Sequence, residues 1–162
     1  MRPRVYIPQP IPEVAVNRLK NLADVEVFPH IDRVISREEL LKSVKGKNFL
    51  YALAEIPFPA EVIDTALPEL KGIAAMYIFP KFVDIKTATA RGIPVTGIPN
   101  MLVETTAEFT FALLIGTAWR LPEGDRVIRE KRWKQYQSMA FLTTRIFDKT
   151  LGIVGLGKIG RA

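Results

Sequence analysis

Near its carboxyl-terminal end the sequence reads Lys149-Thr150-Leu151-Gly152-Ile153-Val154-Gly155-Leu156-Gly157-Lys158-Ile159-Gly160. Glycines at 155, 157 and 160 have the spacing that lets the pyrophosphate of a dinucleotide rest on the start of a helix. Each glycine would have its own task. Gly155 makes the tight turn, Gly157 lets the backbone approach the phosphates, and Gly160 lets the following helix pack close to the strand in front. Backbone N–H groups and the positive end of the helix dipole then favour an anion. The chemistry pointed to is nucleotide binding through Gly155, Leu156, Gly157, Lys158, Ile159 and Gly160. The spacing alone is a weak signal, because glycine clusters also make ordinary turns. Ile153 and Val154, β-branched and placed directly before it, read as a buried strand and strengthen it. The acidic residue that would hold the ribose is expected about 20 positions further on, outside these 162 residues. The choice between NAD and NADP therefore stays open.

Other chemistries are excluded by residue type. There is no cysteine, so disulfides and thiolate chemistry are ruled out, which fits a reducing compartment such as the cytoplasm. The single histidine, His30, cannot build a multi-histidine metal site, and no metal is expected. His30 reads as an ordinary surface or satisfied histidine rather than a catalyst. The formal charge of +6 could favour polyanions, but the basic residues between positions 120 and 134 are interspersed with Glu123, Asp125 and Glu130. That mixture reads as a solvated helix face, without the aromatic-interleaved stripe of a nucleic-acid binder. The nearly uncharged run over residues 109–119 is well short of the roughly 20 residues a membrane span requires.

The elements that must position the glycine turn follow an alternating pattern. Strands are expected at residues 5–7, 25–28, 48–53, 72–76 and 93–96, with helices between them, which implies a parallel sheet wrapped on both sides. Pro12 can open the first helix, with Val14, Leu19 and Leu22 as its apolar side. Ser36 and Glu39 have capping-box spacing before Leu40, Leu41 and Val44. Pro57 and Pro59 precede a helix from residue 60 to about 67, and Gly92 stops another that begins at Asp84. Pro94 cannot donate to a ladder, so the fifth strand belongs at an edge. Beyond residue 98 the pattern changes to an apolar helix over about 102–119 and a charged one over about 122–133, then an aperiodic arm over 135–148. Phe109, Phe111, Leu113, Leu114 and Ile115 cover more than one stripe of the first of these, so it must be buried on several sides, in a core or against another subunit.

Three stretches together resemble the amino-terminal half of the D-isomer-specific 2-hydroxyacid dehydrogenases, most closely the glyoxylate and hydroxypyruvate reductase branch. They are residues 83–95 (Val83-Asp84-Ile85-Lys86 through Gly92-Ile93-Pro94-Val95), Thr105-Thr106-Ala107-Glu108 with the helix after it, and residues 149–160. The resemblance implies an α/β architecture: a flavodoxin-like substrate-binding domain over 1–98, then the start of a Rossmann NAD(P)-binding domain over 99–162. It implies hydride transfer between NAD or NADP and C2 of a small 2-oxo or 2-hydroxy acid, and a homodimer joined through residues 101–147. The family's catalytic Arg, Glu and His lie in the other half, so no catalytic residue is assigned, and these 162 residues alone are expected to be a truncated, inactive portion.

Backbone groups at Ile78 and Phe79, with Leu53 and Ala54 nearby, match the substrate carboxylate site, and Thr106 matches a position near the cofactor. A threonine in the first turn of a helix can equally be a cap. The family's Ser-Val-Gly-Tyr-Asp loop is replaced by Tyr77-Ile78-Phe79-Pro80-Lys81. Phe79 does not adopt glycine-only angles cheaply and Pro80 lacks a donor. This leaves two readings, a changed substrate or a lost catalytic geometry, and keeps a non-catalytic interaction or regulatory protein as the alternative function.

Overall fold

The computed structural model describes residues 2–53, 56–76, 81–98 and 101–162. The chain divides into two compact units, Met1–Pro99 and Asn100–Ala162. The first unit carries five strands: β1 (Arg4–Ile7), β2 (Asp24–Val27), β3 (Phe49–Ala52), β4 (Gly72–Ala75) and β5 (Val95–Thr96). All pair in parallel, in the order β2-β1-β3-β4-β5. This is the flavodoxin-like doubly wound order that the family resemblance implies; the alternating pattern by itself gave only a parallel sheet wrapped by helices. Between the strands run α1 (Glu13–Lys20), α2 (Arg37–Val44), α3 (Ala60–Ala66) and α4 (Ile85–Ala90). No helix among the described residues is long and apolar enough to cross a membrane.

Side chains alternate between the two faces of a strand, and the core divides accordingly. Tyr6, Leu50, Ala52, Ile73 and Ala75 join Leu40, Val44, Val62, Ile63, Ala66 and Ala88, which come from α2, α3 and α4. Val5, Ile7, Ala23 and Leu53 form the smaller cluster on the other face, with Ile11 and Leu19 packed against it. The expected apolar side of α1 is corrected by this arrangement. Leu19 does face the sheet, but Val14 and Leu22 are 70% and 75% exposed. At 3.6 residues per turn, Ala15, Val16 and Leu19 share one face; Val14 lies off it, and Leu22 falls past the end of the helix.

β5 is an edge strand, as Pro94 requires. The Pro94 carbonyl still contributes, accepting from the Ile73 N–H at 3.0 Å. Gly92 ends α4 at φ +70°, where a side chain would be strained.

The capping box of α2 is complete. Ser36 Oγ accepts from the Glu39 N–H at 3.3 Å, and the Glu39 carboxylate accepts from the Ser36 N–H at 2.9 Å. Arg33 adds two bonds to the same carboxylate, at 2.6 and 2.8 Å. The Arg33 bonds first, and then the Ser36 N–H and hydroxyl, hold the Glu39 carboxyl well below the usual carboxylate range. A depressed folded pKa stabilises the fold above the unfolded value of about 4.3, and the contribution fades as pH falls through the folded value. Thermal melts from neutral pH downward should therefore show an acid-limb loss that Glu39→Gln reduces. Ser36→Ala should cost about 1 kcal/mol at neutral pH in denaturant melts.

The second unit contains α5 (Val103–Ala118), α6 (Leu121–Arg129) and a final turn of helix, α7 (Lys158–Arg161). The expected strand at Ile153 and Val154 is not formed: both are exposed, with Val154 fully so. The five described strands all belong to the sheet of the first unit, and among the described residues of the second unit there is no strand for Val154 to pair with. A lone extended segment has no ladder to complete, and isolated strands are not stable in water.

Candidate functional site

Because the strands are parallel, the loops after β1, β2, β3 and β4 all emerge at one edge of the sheet, where ligands bind in open α/β sheets. Leu53 follows β3 directly. Its side chain is buried against Val5, Ile7 and Ala23, so it positions backbone rather than offering a side chain. Its carbonyl accepts from the Ile56 N–H at 3.4 Å. The other three expected carboxylate-binding positions, Ala54, Ile78 and Phe79, lie outside the described residues.

The segments after β3 and β4 are joined by a clamp that motif reading missed. The Phe58 N–H donates to the Phe82 carbonyl at 2.7 Å and the Asp84 N–H donates to the Phe58 carbonyl at 3.0 Å, forming a parallel bridge from Phe58 to Val83. Phe58 is fully buried. An apolar residue between two prolines, Pro57-Phe58-Pro59, was its only sequence signal. Asp84 then caps α4, accepting from the Thr87 N–H at 3.0 Å and the Thr87 hydroxyl at 2.8 Å. These bonds, the backbone one first, lower its pKa.

A groove of about 430 Å3 opens at the same edge, lined by Gln9 and Pro10 after β1, residues 30–34 after β2, and Ile56 after β3. His30 sits on its wall with its ring 5.2 Å from that of Phe28, and Arg33 lies over the Phe28 ring at 4.8 Å. Among the described residues no group of three or more His, Cys, Asp and Glu side chains could hold a metal ion.

In the second unit the glycine turn has distinct geometry at each glycine. Gly155 has φ +92°, a conformation that favours glycine. Gly157 is the N-cap of α7, and a Cβ placed on it would meet nothing within 4 Å, leaving space for another molecule to approach the backbone. A Cβ on Gly160 would fall 2.1 Å from the Gly155 carbonyl oxygen and 3.5 Å from Ile153 Cγ2. The turn therefore folds back under the helix start, and only hydrogen fits between them. Leu156 and Ile159 point their side chains outward, at 67% and 45% exposure. The N–H groups of a first helical turn have no partner within the helix, and Gly157 leaves the approach to those of α7 clear.

Thr106 lies in α5 past its first three positions and is exposed. It does not cap the helix: the N-cap position is Leu102, with no side-chain bond. Its N–H donates to the Leu102 carbonyl at 3.0 Å and its carbonyl accepts from the Thr110 hydroxyl at 2.7 Å, leaving its own hydroxyl at the surface.

No residue of α5 is buried, and Phe109, Phe111 and Leu113 are all more than half exposed. Within this unit α5 is thus not a core helix. Arg120, at φ +52°, ties the following arm to it. Its guanidinium lies 5.3 Å from the Phe141 ring centroid and donates to the Leu142 carbonyl at 3.3 Å and to Glu123. The Thr144 N–H adds a bond to the Ala118 carbonyl at 2.9 Å.

The family described as D-isomer specific 2-hydroxyacid dehydrogenase, catalytic domain, matches residues 5–153, and the chain belongs to that family. It is 40% identical to a glyoxylate reductase of Thermococcus kodakarensis across 100% of this chain and 49% of that protein. A glyoxylate reductase of Thermofilum pendens is 41% identical across 99% and 48%. The chain thus spans about half the length of these relatives. A solved structure from Polaromonas sp. JS6 66, assigned to the NAD-binding D-isomer specific 2-hydroxyacid dehydrogenases, superposes with a TM-score of 0.93 at 27% identity, covering 99% of this chain and 50% of that one. An NADPH-dependent glyoxylate/hydroxypyruvate reductase of Sinorhizobium meliloti, solved in complex with NADP, gives a TM-score of 0.72 at 26% identity, covering 99% and 48%.

Proposed function

We propose that this chain is the substrate-side domain, over residues 1–98, and the opening of the NAD(P)-binding domain, over 99–162, of a 2-hydroxyacid dehydrogenase that interconverts a small 2-oxo acid and its D-2-hydroxy acid. The observation that carries this reading is the turn at residues 155–160, where Gly155, Gly157 and Gly160 each occupy a position that a side chain would strain, block or clash with. Gly155, Leu156, Gly157, Lys158, Ile159 and Gly160 would hold the pyrophosphate of NAD or NADP, with Thr106 near the cofactor. When bound, the nicotinamide supplies the hydride that adds to C2 of the 2-oxo acid.

The chain's own residues bind and orient. Backbone groups at Leu53, Ala54, Ile78 and Phe79 would take the substrate carboxylate, on segments that the Phe58 clamp holds together. The proton that reaches the new hydroxyl is not assigned to His30, which lies in the loop after β2 against Phe28. The homodimer would form through residues 101–147, whose exposed aromatic and aliphatic side chains are the reason for the assignment.

A second reading, a non-catalytic interaction protein on the same scaffold, is favoured by the Pro80 and Phe79 substitutions in the loop and by that apolar surface. Oxidation of NADH and NADPH by the full-length protein with glyoxylate, hydroxypyruvate and pyruvate separates the two. Turnover with at least one acid is expected. NAD(P)H binding with no turnover on any 2-oxo acid would favour the interaction protein.

A further inference from the structure

We draw no further inference here: the strongest candidate, the sheet face turned away from α2, α3 and α4, where Phe49 of β3 and Ala74 of β4 are exposed beside half-buried Tyr51, is an unpartnered apolar face, and nothing in the structure shows what covers it.

Discussion

Gly160→Ala should abolish tight NAD(P)H binding by the full-length protein, weakening it by about a hundredfold, the loss expected for a misplacement near 1 Å. The added Cβ would lie 2.1 Å from the Gly155 carbonyl oxygen. That obstacle is backbone, not the far end of a flexible side chain. Gly155 is itself held at φ +92°, so its carbonyl has little freedom to swing away. Either α7 moves off the turn or the turn opens, and both displace the N–H groups from where a pyrophosphate would sit. Gly157→Ala separates this packing effect from the approach of the ligand. A Cβ there meets nothing within 4 Å of the protein, so the melting temperature should hold while affinity falls by at least about tenfold, through loss of close phosphate contacts. Fluorescence titration with NADH and NADPH reads both variants. Wild-type affinity in Gly157→Ala would remove the assignment of the turn to a pyrophosphate.

Phe109→Glu combined with Leu113→Glu should convert the full-length protein from the proposed dimer to a monomer, weakening association by at least about a hundredfold. The two positions are one helical turn apart on α5, and they are 64% and 55% exposed in the single chain. Substituting exposed positions costs a folded monomer little, within about 0.5 kcal/mol. In an isologous interface each change occurs twice, and an unpaired carboxylate carried into an apolar contact costs several kcal/mol unless it neutralises. Light scattering coupled to size exclusion measures the outcome. A wild-type monomer at micromolar concentration would discard the dimer, and a double variant that remains dimeric would place the interface elsewhere.

How much of this was legible in the sequence depended on how local each feature is. The capping box at Ser36 and Glu39, the stop at Gly92, the edge position forced by Pro94 and the backbone demands at Gly155 and Gly160 all arise within a few residues. Steric and hydrogen-bonding rules at that range do not depend on the rest of the fold. The alternation of apolar strands and helices likewise announced a parallel α/β unit. The apolar side of α1 was legible only in part, since Leu19 faces the sheet while Val14 and Leu22 do not. Hydrophobic composition near a helix does not fix which 100° of it meets the core.

The sequence by itself thus determined which segments become helix and strand in the first unit, where most of them begin and stop, and that the second contains a turn with glycine at each tight position. Tertiary structure alone decided the strand order, the Phe58 clamp that joins the two segments after β3 and β4, and the pairing of Arg91 with Asp64. It also decided that Ile153 and Val154 stay outside any strand and exposed despite their strand-forming side chains. The reason is common to all four: each depends on what lies beside a residue in space. A ladder, a clamp or an ion pair exists only when its partner, often tens of residues away, has been brought there.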